Sequence, residues 1–432
     1  MIGTTLIGLG LGYILVGLYR EQAFPDFFYY LTLQFLPRWV RAILVGGLGG
    51  SLVALAIFRL SRSLLEPFTR PRSLPVAEAM YQYRQRERGP KIVAIGGGTG
   101  LSTFLRGIKA YTSNITAIVT VADDGGSSGR LRDEFGIPPP GDFRQCIAAL
   151  ADDEALTTHL FQYRFSESRP VGNGSGSTGL GGHAFGNLFI AAMTNVTGSF
   201  ESGLSESSQV LAVRGRVLPS TVTPLTLIAD LRDDTTQKLL RVEGESVITH
   251  TGATIQHLMI RPEDARAYPD AIRAILDADG IILAPGSLYT SLLPNLLVRG
   301  IADAIRAARG PCLYVCNVAT QKGETSGYQV IDHINAIERQ AGTGLIDRVI
   351  ANSHTQVEWS GVPPGVGNLI PFSSATRSGL SIAGLDLVDV SAPWRHDSAK
   401  LAQAVTQTLR ELRPQHKRDS GVWRRRQSRK SY

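Results

Sequence analysis

The sequence predicts an α/β fold: an open, mostly parallel sheet with helices on both faces, preceded by an N-terminal transmembrane helical hairpin. Three observations predict it. From residue 91 onward, short apolar runs rich in β-branched residues alternate with amphipathic stretches, the pattern that builds a parallel sheet. The first two runs end in glycine-rich turns that open helices, as at the ligand-binding edge of such a sheet. The first 60 residues hold two uncharged apolar spans bordered by arginine.

The spans are residues 2–18 and 42–58. Each is about 17 residues, the short end of what crosses a bilayer. Arg38 and Arg41 precede the second span, Arg59 and Arg62 follow it, and the aromatic stretch 23–36 between the spans suits a membrane–water interface. Gly8/Gly12 and Gly46/Gly50 have the small-residue spacing that lets two helices approach closely. The alternative is a pair of buried core helices. A hairpin returns the chain to the side it started from. The arginine-rich segment that follows places that side in the cytoplasm, so the expected location is the cell inner membrane with the main domain inside. The expected organisation is a hairpin over 1–60, a juxtamembrane linker over 61–90, one large domain over 91–412 and a basic disordered tail over 413–432.

Composition narrows the class. A hydrophobic fraction of 43% and a charged fraction of 19% exclude whole-chain disorder. A mean hydropathy of +0.02 excludes a polytopic transporter. Cys146, Cys312 and Cys316 are too few for a disulfide framework and read as reduced thiols. The net charge of +7 divides into +7 on 413–432, +5 on 1–90 and −5 on 91–412. A mildly acidic body argues against a nucleic-acid partner. The basic tail is either a solvated arm or a contact for anionic lipid head groups.

Within the body, strands are expected at 91–95, 115–122, 209–213, 225–230, 281–284, 312–317 and 348–351. Helices are expected at 101–110, 142–163, 186–197, 294–308 and 326–340. Residues 166–182 form a long glycine/serine loop, either functional or an idle insertion.

The chemistry gathers at the ends of the strands. Gly96, Gly97, Gly98, Thr99 and Gly100 follow the first strand and open a helix, where backbone N–H groups can meet a phosphate. No Gly-Lys-Ser/Thr follows, and Leu101 stands where a dinucleotide fingerprint needs glycine, so a plain tight turn is the rival reading. Asp123 and Asp124 close the second strand ahead of Gly-Gly-Ser-Ser-Gly. One of them could hold a ribose hydroxyl or a divalent ion, and an acidic turn is the bland alternative. Asp142 is a candidate helix cap, and Arg144 a candidate phosphate contact or an ordinary surface arginine. His183 and Asn187 stand near the start of the helix at 186, His183 as a phosphate contact or a structural histidine. Ser287 and Tyr289 follow the strand at 281–284, with the tyrosine placed to stack on a base or to be buried. Pro294 marks a helix start.

The motifs GGGTGLSTFLRGI, DDGGSSGRLR, PGDFRQC, GHAFGN and APGSLYTSLLPNLL, in this order, resemble the gluconeogenesis-factor family, the YvcK-type branch of the CofD-like superfamily. The resemblance runs from about 91 to about 385, with the apolar N-terminus and the basic tail outside it. It implies a Rossmann-like domain that binds a nucleotide or UDP-sugar, and a role linking gluconeogenic growth to cell shape and cell-wall synthesis. A homo-oligomer is also expected. It also implies that Gly96 to Gly100 cradle phosphates. Asn187, Ser287 and Tyr289 then line the cleft, and Asp123 or Asp124 matches the position of a metal-binding aspartate. Its enzymatic cousin, 2-phospho-L-lactate transferase, supplies the alternative: a Mg²⁺-dependent transferase that moves a phosphate-containing group from a nucleotide donor. A nicotinamide-dependent dehydrogenase fits the glycine loop but not DDGGSSG.

Overall fold

The computed structural model describes residues 86–427 apart from 153, 167–178, 234–236, 355–361 and 373–379, and residues 35–65 with a few isolated positions before them. The chain divides into two compact units, Met1–Gln82 and Tyr83–Tyr432. In the first unit the long helix is α1 (Arg38–Leu65). Among the described residues its stretch Arg38–Ala56 is the one helix long and apolar enough to cross a membrane, with a mean hydropathy of 1.7 and no buried position. The first apolar span, 2–18, lies outside the described residues save for isolated positions, as does most of the expected linker.

The second unit begins before residue 91. Arg86 donates from Nε to the Ala110 carbonyl, and Asn114 donates to the carbonyls of Glu87 and Gly89, which ties 86–90 to the body. The chain then lays down β1 (Ile92–Gly96), α2 (Gly98–Ile108), β2 (Ile115–Val119), α3 (Gly126–Phe135) and α4 (Gly141–Leu150). Next come α5 (Glu154–Gln162), α6 (Phe185–Thr197), α7 (Phe200–Val210) and β3 (Arg216–Pro219). An insertion follows, made of β4 (Thr226–Arg232), β5 (Leu239–Glu243), α8 (Glu245–Thr251) and β6 (Thr254–Arg261). The chain returns through α9 (Pro269–Leu276) and β7 (Gly280–Leu283) to a π-helical turn at Leu288–Leu292, α10 (Leu293–Leu297) and α11 (Ile301–Ala307). The last part comprises β8 (Cys312–Val315), β9 (Ala319–Gln321), α12 (Val330–Ala341), β10 (Arg348–Asn352), β11 (Val366–Leu369), β12 (Ser381–Leu385), β13 (Val388–Asp389), β14 (Ala392–His396) and α13 (Ser398–Gln427).

Seven strands form one sheet in the order β12-β10-β8-β7-β1-β2-β3, and every pair in it is parallel. β1, β7 and β8 are buried along their whole length, which is why they read as unbroken apolar runs. The chain moves outward from β1 to β2 to β3, then crosses back to start β7 on the other side of β1. Right-handed crossovers on either side of that reversal put their connections on opposite faces. Ligands of such sheets bind in the crevice outside the carboxyl ends of the strands at such a reversal, which here falls between β1 and β7.

Several expected elements are corrected. The stretch 209–213 is not a strand: α7 ends at Val210, started by Ser199, whose Oγ accepts the Ser202 N–H. The helix expected over 142–163 is two helices, because Ala151 turns extended to bridge Val213 and Asp152 pairs with Arg214. The stretch 225–230 is a strand, but β4 belongs to a separate antiparallel sheet, β5-β4-β6. Too few residues separate β4 from β5 for the crossover that a parallel pair needs. The helix at 294–308 is interrupted by extended Val298 and by Gly300 at φ +101°. The tail read as disordered from 413 continues α13 as far as Gln427.

Candidate functional site at the carboxyl edge

Three turns meet at the crevice: 96–100 after β1, 123–129 after β2 and 284–291 after β7. In the first, Gly96 ends β1, Gly97 is extended and Gly98 begins α2 at φ +60°. The helix has no side-chain cap of its own. Asp142 fills that role from across the crevice, accepting the Gly98 N–H. Its own helix α4 starts from Pro140 without a side-chain cap, so the expected capping role of Asp142 is corrected: it caps α2. Gly97 makes room for it, since a Cβ there would stand 2.4 Å from Asp142 Oδ2. Gly100 serves packing, because a Cβ there would be 2.1 Å from the Pro285 carbonyl oxygen. Thr99 is exposed and donates to Gln145 Oε1 at 3.2 Å.

In the second turn the two aspartates separate in role. Asp124 accepts the N–H groups of Glu245 at 2.8 Å and Ser246 at 3.0 Å, together with the Ser246 hydroxyl. It is the N-terminal cap of α8, and it docks the inserted sheet against the crevice. Asp123 accepts the Gly125 N–H at 2.9 Å and the Ser128 hydroxyl. Ser127 lies in the first turn of α3, where its Oγ is 3.1 Å from His183 Nδ1 and accepts from Asn187 Nδ2 at 3.0 Å. His183 and Asn187 are each 2% exposed, and Asn187 Oδ1 is buried without a partner. Arg144 lies against Gly186 and donates from Nη1 to the Phe161 carbonyl at 3.1 Å, leaving its buried Nε without a partner.

The third turn is held by two residues that sequence reasoning passed over. Asn317 grips the Gly286 backbone from both sides, accepting its N–H at 2.8 Å and donating to its carbonyl at 2.6 Å. Glu324 is buried and accepts from the Ser287 hydroxyl, the Thr290 hydroxyl and the Tyr289 N–H. A lone acid in the TQKGET segment carries no motif, and only the sheet order brings β9's loop to this edge. Tyr289 is 1% exposed and closes on the Tyr328 hydroxyl at 2.9 Å, so the ring offers no face on which a base could stack.

The crevice is rich in acids, and burial dominates their titration. Burial, then Asp123, pushes Asp142 up to about 7, while the Gly98 N–H and Arg144 pull it down. Burial also pushes Glu245 up to about 7, with Asp123 and Asp124 adding to it. Asp123 and Glu324 are raised for the same leading reason. His183 is lowered by burial and by Arg130. Of the two aspartates expected near a metal, Asp124 has both oxygens engaged at the start of α8, and Asp123 accepts from Gly125 and Ser128.

The long glycine/serine loop leaves from beside this site. Phe165 donates its N–H to the His183 carbonyl at 3.0 Å, and Gly182 donates to the Phe165 carbonyl at 2.9 Å. Arg164 and Arg130 bind the carbonyls of Gly182 and Gly181. Residues 167–178 lie outside the described ones.

Comparison with known proteins adds the following. A family profile described as 2-phospho-L-lactate transferase CofD matches residues 92–360. A putative gluconeogenesis factor of Nostoc sp. is 55% identical over 276 residues, which cover 64% of this chain and 58% of that protein. The aligned chain thus spans less than two thirds of the Nostoc relative. The gluconeogenesis factor of Bacillus subtilis is 43% identical over 333 residues, covering 74% of this chain and 99% of that protein. A crystal structure of a Bacillus halodurans protein superposes with a TM-score of 0.64 at 40% identity, covering 74% of this chain and all of that one.

Proposed function

The chain belongs to the gluconeogenesis-factor family of CofD-like proteins, and from that membership we propose that it is a regulatory protein that binds a nucleotide sugar, of the UDP-sugar type, between the carboxyl ends of β1, β2 and β7. Its occupancy would tie carbon metabolism to cell shape and cell-wall synthesis. The observation that carries the reading is the crevice at the β1/β7 reversal, lined by polar groups from three separate turns. Thermal unfolding of the full chain in detergent, across a panel of nucleotides and UDP-sugars, tests it. A ligand at 100 times its Kd adds about 2.7 kcal/mol of stability. No shift with any nucleotide sinks the reading.

The profile's own description favours a second reading, a transferase acting on a phosphate-containing group. Against it stands the engagement of both Asp124 oxygens at the start of α8. Mg²⁺-dependent release of free nucleotide by the wild-type chain would decide for the transferase.

We further propose that α1 holds the domain at the membrane and that the basic end of α13 adds contact with anionic lipid. An apolar Arg38–Ala56 with no buried position supports the first, and the charge of 413–432 supports the second. Full-length protein should pellet with membranes and need detergent for release. The tail's share should fade as salt shortens the Debye length to about 8 Å near physiological strength. Recovery of the full chain in a detergent-free supernatant refutes the anchor.

A further inference from the structure

We propose that the ligand's phosphate is received at the first turn of α3, by the Gly126–Ser128 backbone with Ser127 and Asn187, and not by the glycine loop after β1. The inference rests on the nucleotide-binding reading above and specifies which turn does the work.

Two helices begin side by side at the crevice, α2 and α3. Either could present its unbonded N–H groups to an anion. At α2 the place is taken. Asp142 accepts the Gly98 N–H, and its Oδ2 lies where a Cβ on Gly97 would be 2.4 Å away. Gly100 is closed by the Pro285 carbonyl. A phosphate arriving there would have to expel a carboxylate from a helix N-terminus that it already satisfies.

At α3 a carboxylate is also present, but Asp123 accepts the Gly125 N–H just ahead of the helix and the Ser128 hydroxyl, which leaves the N–H groups of Gly126, Ser127 and Ser128 for a ligand. Gly125 is extended and Gly126 takes φ +50°, with no heavy atom near enough to contact a side chain built there. The ten-residue helix has no side-chain cap. Ser127 is fixed by His183 Nδ1 and Asn187 Nδ2, which places the Asn187 amide at this turn. Asn187 is 2% exposed, and its Oδ1 has no partner although it is buried. A buried amide oxygen without a donor is destabilising unless a ligand supplies one. A sugar hydroxyl or a base N–H next to the phosphate would do so. Arg132 and Arg144 lie within electrostatic reach of Asp123 and offset its charge at the turn.

Titration calorimetry on the full chain in detergent, with UDP and with inorganic pyrophosphate as probes, tests the assignment. The two probes separate a nucleotide from a bare phosphate as the source of the anion. Ser127→Ala and Asn187→Asp should each weaken both probes at least tenfold. Gly98→Ala should leave both within threefold of wild type: its left-handed φ of +60° strains the folded chain, but a Cβ there would be 3.7 Å from Asp142 Oδ1 and 4.0 Å from Ser291 Oγ, clear of the α3 turn. Circular dichroism establishes that each variant is folded, and Asn187→Asp carries the test if Ser127→Ala is not. The assignment is overturned if Gly98→Ala loses binding while Asn187→Asp stays within threefold. A wild-type chain that binds neither probe overturns the nucleotide reading as well, so the two failures are distinguishable.

Discussion

The turns after β1 and β2 are both glycine-rich, both start a helix and stand on neighbouring strands, yet they use glycine differently. In the first, Gly97 and Gly100 admit other parts of the same chain, the Asp142 carboxylate and the Pro285 carbonyl. In the second, Gly129 admits the Asp124 carbonyl, while Gly126 stands in open space. A glycine cluster in sequence announces close approach. It does not say whether the approaching group is a ligand or the protein itself.

The largest expected effect comes from the acid that seals the first turn. Asp142 and Glu245 are pushed up to about 7, against about 4 in an unfolded chain. Below about pH 4 both states hold these protons. Between about 4 and 7 the unfolded chain releases them first, so folding stability falls as pH rises, by up to about 1.4 kcal/mol per unit for each proton difference. Above about 7 the dependence levels off. Urea midpoints from pH 4.5 to 7.5 should show that fall, and Asp142→Asn should flatten part of it. A variant with the wild-type slope would show that Asp142 is not the group that seals the turn.

Gly100→Ala comes next. Its Cβ would meet the Pro285 carbonyl oxygen at 2.1 Å, where backbone on both sides must give way. A loss of about 3 kcal/mol is expected, checked by urea unfolding followed in the near ultraviolet. Asp124→Ala removes the acceptor of two N–H groups and should cost about 1–2 kcal/mol, with hydrogen exchange rising in α8 before the rest of the domain. Gly126→Ala should be mildest, about 1 kcal/mol of left-handed strain with no clash. Equal costs at Gly100 and Gly126 would erase the contrast between the turns.

Most of the parallel sheet was legible. Buried strands such as Ile92–Gly96 and Cys312–Val315 announce themselves as short apolar runs between turns. The errors fall where a long-range contact overrides local pattern. Ala151 leaves a helical stretch to bridge Val213, and β4 reads like its neighbours although it pairs within the insertion. At the site, the location of the three turns follows from strand ends alone. The roles do not, because Asp142 and Asp124 each cap a helix distant in sequence, and Glu324 acts through a fold that no local window encodes.

The hydrogen-bonded clamp at Phe165 and Gly182 has a practical use. It holds together the two ends of the excursion that carries residues 167–178, so the rest of the domain need not register how long that excursion is. Each doubling of a flexible loop adds only about 0.6 kcal/mol of closure cost. A circularly permuted fluorescent protein spliced between the clamp residues would therefore hang from the backbone of His183, whose ring holds Ser127. If the nucleotide proposed above binds in the crevice, such an insertion reports its occupancy as light.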